Sequence, residues 1–343
     1  MILIDASNIN SGGGESLLVY LLNSLERNRI KYFVISDYRW KNNIISDENH
    51  VIVNINIFNR GHILKKYISL IEPNTILFFG NFPPPFTINQ NIKTITYIQN
   101  YFIVNWENSK YLNFLKRILL LLKMSYIKYY ILNSNIYCFQ NELVKNEFIK
   151  AYGRKLNIQY LVIPFFKPFN QNQIKNNFNR EKSFIYVSSD TQHKNHLNLF
   201  KAWEHNFIKG IKNKLYITID EQRQSYVVKY FQKLKKEGLP IINLGIIKND
   251  EILKKCYKIK FAIFPSFIET IGLNLIESTF CGCKVLAPDL PYVKEVLLPS
   301  IVFDPYNPID IAKKVEVALI EELPDSKVIL KNKIDCFIKK LIN

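Results

Sequence analysis

The chain has 343 residues, more than one typical domain needs and about the right length for two. Its 48% hydrophobic and 22% charged residues are typical of a folded globular protein and exclude a disordered one. A formal net charge of +17 predicts acidic partners: nucleic acid, an anionic membrane or a phosphorylated substrate. Because the excess is spread over both halves and no nucleic-acid-binding motif is present in the sequence, we do not expect nucleic acid.

The sequence also indicates a cytoplasmic protein. Its five cysteines are odd in number and scattered, which favours a reducing compartment. The first apolar run ends at Asp5, too early for a signal peptide, and no stretch approaches the roughly 18 apolar residues of a membrane-spanning helix. With no second cysteine pair, Cys281 and Cys283 favour buried thiols over a metal site.

The N-terminal pattern predicts a strand over residues 2–5, a loop over 6–14 and a helix from Glu15 to about Leu25. Three of the eleven glycines occupy positions 12–14 in this loop. Glycines between a first strand and a helix let the backbone close around an anion or a substrate. Their spacing matches neither the dinucleotide fingerprint nor the P-loop, so a flexible turn fits them as well.

Strand and helix patterns alternate through the first half of the chain. Strands are predicted at residues 32–36, 51–57, 76–79 and 94–98, a βαβ spacing that predicts a parallel sheet. Gln99 and Asn100 follow the last of these strands. An amide side chain can hydrogen-bond a ligand, but it cannot act as a general base.

A basic, apolar segment covers residues 110–132. No acidic residue occurs between Glu107 and Glu142, and the segment is dense in Leu, Ile and Tyr. The basic side chains are predicted to fall roughly along one helical stripe: Lys110, Lys116, Arg117, Lys123 and Lys128. This pattern predicts either a helix resting on an anionic membrane or the solvated face of a packed helix.

Residues 1–168 form the first predicted domain, and the Asn- and Gln-rich run 169–182 is predicted to be a linker. The second domain, 183–324, begins with a buried strand at 184–187, a polar loop and an amphipathic helix. His193 and His196 in that loop lack a third metal ligand nearby and are expected to be polar side chains at a ligand cleft.

The most informative stretch is residues 260–287. A short buried strand ends at Pro265, a loop follows, and a helix is predicted to start at Gly272 and end at residues 281–282. The helix prediction rests on an apolar stripe at i, i+3 and i+7: Leu273, Ile276 and Phe280.

A helix beginning at the carboxyl edge of a parallel sheet points its free N–H groups at the ligand crevice and favours phosphate. Gly272 would let a diphosphate approach its backbone closely. Glu277, one turn further on, can reach the same crevice, and a carboxylate beside a diphosphate suits the neutral hydroxyls of a ribose. Glu269 could serve a sugar in the same way. Alternatively, both glutamates are only stabilised by the helix dipole.

The run with Pro265, Ser266 and Glu269, then Gly272-Leu273 and Glu277, resembles the PS-x-x-E-x-x-G-L-x-x-x-E pattern of the family 4 retaining glycosyltransferases. The resemblance implies an α/β protein of GT-B architecture, with two Rossmann-like domains whose parallel sheets face across a cleft. It makes the first domain the acceptor side and the second the nucleotide-sugar side. A terminal helix within residues 325–343 would pack back on the first domain.

The resemblance also assigns roles to loops outside that run. Gly13, Gly14 and Ser266 would lie near the donor, Lys194 would bind the diphosphate, and Gly245 would lie in the loop that packs on the nucleotide base. Gln99 and Asn100 occupy the acceptor-side position where the family often has His-Asp.

Four further positions depart from the family pattern. Ser189 stands where the family usually has an arginine beside the lysine. Thr270, Ile271 and Asn274 also differ, which bears on the identity of the donor sugar.

The implied reaction is the transfer of a hexose from a UDP or GDP sugar to a glycan acceptor with retained configuration, without a cofactor. The chain contains no Asp-x-Asp metal motif, so metal independence is expected. Glu269 and Lys194 would be catalytic, with the Gly272 and Leu273 amides stabilising the departing diphosphate. A lipid-linked acceptor in bacterial O-antigen or capsule synthesis, used at the inner membrane face, fits the basic segment.

Two alternatives fit the same fold. A sugar-nucleotide epimerase would change the nucleotide sugar without an acceptor. A non-catalytic membrane- or partner-binding subunit would explain the departures at Gln99 and Ser189.

Overall fold

The computed structural model describes residues 1–9, 12–40, 47–56, 59–153, 158–168 and 180–343. Two compact units are present: Met1–Pro168 with Lys331–Asn343, and Phe169–Leu330. Residues 169–179 of the predicted linker lie outside the described residues. Glu181 and Lys182, at the end of the predicted linker, belong to a strand of the second unit.

The first unit contains a seven-stranded parallel sheet in the order β3-β2-β1-β4-β5-β6-β7. Its strands are β1 Ile2–Ala6, β2 Tyr32–Asp37, β3 His50–Val53, β4 Thr75–Phe78, β5 Lys93–Ile98, β6 Ile136–Phe139 and β7 Gln159–Val162. In the centre, β1 and β4 are buried along their whole length, as expected for strands covered on both faces. Ile57, at the end of the predicted third strand, lies outside the described residues.

The helices of this unit are α1 Gly12–Arg27, α2 Arg60–Ile71, α3 Phe114–Tyr130, α4 Glu142–Phe148 and, at the carboxyl terminus, α11 Ile334–Ile342. The first of them corrects the prediction of a loop up to Gly14, because Gly13 and Gly14 lie in the first turn of α1. Glycine is a poor helix former. The leucines that α1 buries against the sheet favour the helix strongly enough to include these glycines: Leu17, Leu18, Leu21, Leu22 and Leu25.

The second unit contains a six-stranded parallel sheet in the order β10-β9-β8-β11-β12-β14 and a small antiparallel pair of β13 and β15. The strands are β8 Glu181–Tyr186, β9 Leu215–Ile217, β10 Ile241–Asn243, β11 Ile259–Ile263, β12 Lys284–Pro288, β13 Leu297–Leu298, β14 Ile301–Phe303 and β15 Lys327–Val328. Its helices are α5 His196–Ile208, α6 Tyr226–Lys236, α7 Asn249–Lys258, α8 Leu273–Phe280, α9 Pro291–Val296 and α10 Pro308–Ile320. Two parallel α/β sheets confirm the predicted fold class.

The terminal helix fills only part of the predicted segment 325–343. Lys327 and Val328 pair with β13 in the second unit, and α11 begins only at Ile334. The ring of Phe337 on α11 packs on Tyr97 of β5, with 5.2 Å between ring centroids. The last helix is thus part of the core of the first unit.

Cys281 and Cys283 are buried free thiols, as predicted. The thiol of Cys283 donates to the backbone carbonyl of Cys256 over 3.3 Å. No helix of the described part of the chain is long and apolar enough to cross a membrane.

Candidate active site

The start of α8 has the geometry that the sequence predicts. Gly272 is the helix N-cap in a left-handed conformation, with φ 60° and ψ 68°. A Cβ atom at this position would lie 2.9 Å from Cδ1 of Leu275, closer than side-chain carbons approach. Both observations require glycine here. Gly272 and Leu273 are partly exposed, so a ligand can reach the helix N-terminus at the carboxyl edge of β11.

Lys194 and Glu269 form an ion pair at the same edge. Nζ of Lys194 lies 2.5 Å from Oε1 of Glu269, and the two side chains are 19% and 18% exposed. They follow β8 and β11, which are neighbours in the sheet. The sequence predicted a role for each residue separately. The structure brings this cation and this carboxylate together, where a sugar diphosphate could contact both.

Backbone hydrogen bonds hold the two loops in register. The amide of Phe267 donates to the carbonyl of His193 over 2.8 Å. Asn195, in a left-handed conformation with φ 59°, donates from its side chain to the carbonyl of Pro265 over 2.9 Å and to that of Pro305 over 2.8 Å. The backbone at Lys194 is thus held in position by the hydrogen bonds of the adjacent Asn195.

Ser266 is buried, and hydrogen bonds connect it to two tyrosines next to the ion pair. Its hydroxyl shares a 2.8 Å hydrogen bond with that of Tyr186, whose hydroxyl also donates to the carbonyl of Lys194 over 2.8 Å. The hydroxyl of Tyr292 donates to the carbonyl of Ser266 over 2.8 Å. Burial, together with the charge of Glu269, raises the pKa of both tyrosines, so both stay neutral. These bonds fix Ser266 within the loop that carries Glu269.

Glu277 lies in the second turn of α8 and is half-buried. Nδ2 of Asn249, the first residue of α7, lies 3.5 Å from its Oε1 atom. The carboxylate therefore lies beside the loop between β10 and α7.

That loop closes a cavity of about 380 Å³ at the carboxyl ends of β9 and β10. It is lined by apolar side chains, two amide side chains, two acidic side chains and a glycine: Ile219, Asp220, Glu221, Gln222, Asn243, Leu244, Gly245 and Ile246. The amide of Asn243 joins both walls, bonding Ile219 and Gly245. Acidic side chains disfavour phosphate here, whereas a flat, neutral nucleotide base could pack on the apolar lining.

His196 is not the cleft side chain that the sequence suggested. It begins α5, is 1% exposed, and its ring packs on that of Tyr186 with centroids 4.9 Å apart. Neither ring nitrogen has a hydrogen-bond partner within the described ranges. Burial, with the nearby charge of Lys194, lowers the pKa of His196 to about 3.

We expect this histidine to make the protein acid-sensitive. The unfolded chain binds a proton at His196 from about pH 6.5, and the folded chain only near pH 3. Its contribution to stability is therefore present above about pH 6.5 and is lost as the pH falls toward 3. Urea unfolding should show wild-type protein losing about 2 kcal/mol more than His196→Phe between pH 7 and pH 5. The exposed His62, changed to Phe, is the control and should behave as wild type; an equal loss in His196→Phe would contradict this account.

In the first unit, Gln99 and Asn100 follow β5 beside the start of α1. A Cβ atom on Gly14 would lie 3.4 Å from Oε1 of Gln99. Nε2 of Gln99 donates to the carbonyl of Phe79 over 2.8 Å, and the Asn100 side chain accepts from the amide of Phe102 over 3.0 Å. The structure thus brings together Gln99 and the predicted glycine turn, although that turn is helical.

Sequence reasoning missed Arg223, which lies near the loop between β8 and α5. Its Nη1 atom lies 3.0 Å from Oδ1 of Asp190, next to Ser189, where the family pattern has an arginine. Arg223 follows β9, and neither its spacing nor its neighbours in the sequence point to Asp190. Within the described ranges, no group of three His, Cys, Asp or Glu side chains could hold a metal ion.

Comparison with known proteins agrees with this geometry. Residues 169–334 match the sequence model of the family described as glycosyl transferases group 1. The matched residues nearly coincide with the second unit, Phe169–Leu330. No curated protein matches the sequence.

Solved structures share the fold over nearly the whole chain. Sucrose-phosphate synthase from Thermosynechococcus elongatus aligns with a TM-score of 0.67 and 14% identity, over 93% of this chain and 90% of that one. WaaG, a glycosyltransferase involved in lipopolysaccharide biosynthesis, aligns with a TM-score of 0.65 and 12% identity, over 94% of this chain and 91% of that one. Anabaena HepE in complex with UDP and glucose aligns with a TM-score of 0.64 and 13% identity, over 94% of this chain and 90% of that one. At these identities the likeness establishes the fold alone.

Proposed function

We propose that this protein transfers a hexose from a nucleoside-diphosphate sugar to a glycan, with retention of configuration, as a family 4 enzyme. The observation that carries the proposal is the ion pair of Lys194 and Glu269 beside the open N-terminus of α8. An anionic leaving group would meet a cation and free amides there, and the sugar would meet a carboxylate.

Three parts of the second unit supply the donor contacts. The cavity at Gly245 takes the base, and Glu277, beside the same loop, accepts hydrogen bonds from the ribose hydroxyls. Lys194 and the amides of Gly272 and Leu273 stabilise the diphosphate. The arrangement is supported by HepE, a structural neighbour whose structures hold UDP.

The reaction needs no metal or histidine in this proposal. The bond between the anomeric carbon and the diphosphate oxygen breaks, and the acceptor hydroxyl forms the new bond on the same face. The departing phosphate oxygen takes the hydroxyl proton. Glu269 stabilises the positive charge that develops on the sugar, and Lys194 stabilises the negative charge on the diphosphate.

The acceptor is a glycan, which we propose is lipid-linked and belongs to bacterial surface polysaccharide synthesis in the cytoplasm. Gln99 and Asn100 in the first unit would bind its hydroxyls through amide hydrogen bonds, and Gly13 and Gly14 would leave room for the substrate.

Nucleotide binding should be visible as thermal stabilisation. At 100 times its dissociation constant, one of UDP, GDP or ADP should raise the melting temperature of the wild type by roughly 5 to 10 °C. Glu277→Ala should lose most of this shift because the ribose contact is gone. Glu316→Ala, which removes a carboxylate paired with Lys209 elsewhere in the unit, should keep it. If no diphosphate stabilises the wild type, the donor site as assigned is wrong and the non-catalytic alternative is favoured.

A further inference from the structure

The outward face of α3 is covered with apolar side chains that contact solvent. Among the described residues, 24 large apolar side chains are exposed, and 8 of them lie within residues 114–132. The most exposed are Phe114 at 74%, Leu115 at 70% and Tyr129 at 80%. Apolar side chains concentrated in so short a segment indicate a surface that is covered in use.

Most of this face does not hold the helix to its unit. The opposite face is buried through Leu120 and Ile127, seven residues apart. Tyr126, near the carboxyl end, lies on the apolar side and is the exception: its hydroxyl donates to the carbonyl of Pro83 and accepts from the buried Arg60 over 2.7 Å. Residues 113–119 contain no buried side chain, so the first turns of the helix project into solvent.

Basic side chains lie along both edges of the apolar face. With about 100° per residue, Lys116 and Lys123 fall on one edge, and Arg117 and Lys128 fall on the other. This corrects the single basic stripe expected from the sequence. No acidic residue occurs from position 108 to 141, so both edges are uniformly positive.

We propose that α3 lies in the surface of a bilayer containing anionic lipids, with its apolar face among the acyl chains and its basic edges on the headgroups. An apolar face with basic residues along both edges is typical of a helix that lies in the membrane interface. At 17 residues its length is about 25 Å, and it is not apolar enough to cross a membrane.

The charges favour lipid over a second copy of the chain. A symmetric contact through this face would bring basic edges of two copies together, with no acidic residue on the helix to offset them. A bilayer accommodates both the apolar face and the basic edges, because its apolar interior lies next to its anionic surface. The proposal does not rest on the transfer reaction, although a lipid-linked acceptor would be reached from such a position.

Co-sedimentation of the full-length protein with vesicles tests the assignment. We expect binding to vesicles of phosphatidylcholine and phosphatidylglycerol in a 3:1 ratio, weakening as salt is added, and little binding to phosphatidylcholine alone. The combined variant Leu115→Ser, Leu119→Ser and Leu122→Ser should lose binding at least tenfold. Its control changes equally exposed side chains elsewhere, Leu70→Ser, Ile208→Ser and Ile320→Ser, and should bind as wild type.

The charge requirement is tested separately. Lys116→Gln with Lys123→Gln should weaken binding about 25-fold, at about fivefold per lysine near an anionic surface. Lys235→Gln with Lys313→Gln, two exposed lysines of the second unit, should leave binding unchanged.

Each of the other outcomes overturns the proposal. Wild-type protein that stays in solution with anionic vesicles, or binds neutral vesicles equally, contradicts it. So does a serine variant that still binds, because the contact then lies elsewhere. A dimer in sedimentation velocity that the serine variant abolishes would assign the face to a second copy. The nucleotide-induced melting shift, measured without vesicles, should be the same in every variant, so failure here is distinct from failure of the proposed reaction.

Discussion

Replacing Glu269 with glutamine should lower the turnover of sugar transfer by about a hundredfold to a thousandfold. The amide keeps the size of the side chain and one accepting oxygen but removes the negative charge facing the sugar. That charge matters most when the sugar becomes positive, so kcat should fall more than donor affinity. Initial rates of nucleoside-diphosphate release measure the effect.

The matched control for this change is Glu316→Gln, since Glu316 also pairs with a lysine, over 3.0 Å, in the same unit. It should keep wild-type turnover. The nucleotide-induced melting shift of Glu269→Gln should remain, which shows that the donor site is still formed. A Glu269→Gln enzyme with wild-type turnover would refute the catalytic assignment.

Lys194→Gln should lower turnover by a similar factor, about a hundredfold or more. The cation at this position offsets negative charge on the departing diphosphate, and Arg223, close to the same loop, is engaged with Asp190 and Asp220. Because the same substitution also leaves Glu269 without its cation, the melting temperature should be compared to confirm folding.

A double variant distinguishes two cooperating groups from two independent ones. Lys194→Gln combined with Glu269→Gln should lose less than the product of the single losses, since each side chain holds the other in place. The pair Lys209→Gln and Glu316→Gln is the control and should leave turnover unchanged. Strict multiplication of the two losses would show that the ion pair has no part in the reaction.

The central element of the fold was predictable because its patterns are local. An apolar run closed by Pro265 predicts a buried strand, and the stripe starting at Leu273 predicts a helix. The glycine between them is required by a left-handed turn, which a sequence signals directly. The class of fold follows from repeated strand and helix patterns of this kind.

What could not be predicted depends on contacts between distant segments. The spacing of 75 residues between Lys194 and Glu269 says nothing of an ion pair, which exists because β8 and β11 are neighbours in the sheet. His196 looks like any polar loop residue until packing on Tyr186 buries it. The first turn of α1 is helical despite three glycines, since tertiary burial outweighs their low propensity.

The surface of α3 shows the same limit. Its composition indicated an amphipathic basic segment, but the choice between a packed helix and an exposed one depends on which face the protein core covers. Leu120 and Ile127 take that face, and the leucines at 115, 119 and 122 are left in solvent. Sequence periodicity alone cannot separate these two apolar stripes.

The most direct test of the proposed activity is product analysis by mass spectrometry. The protein is incubated with UDP-glucose, UDP-galactose, UDP-N-acetylglucosamine and GDP-mannose, with and without lipid-linked glycans extracted from bacterial membranes. We predict a glycan heavier by one sugar residue, formed together with one nucleoside diphosphate, only with the acceptor and not with Glu269→Gln. An altered nucleotide sugar formed without any acceptor, or no change in any donor, would contradict glycosyl transfer.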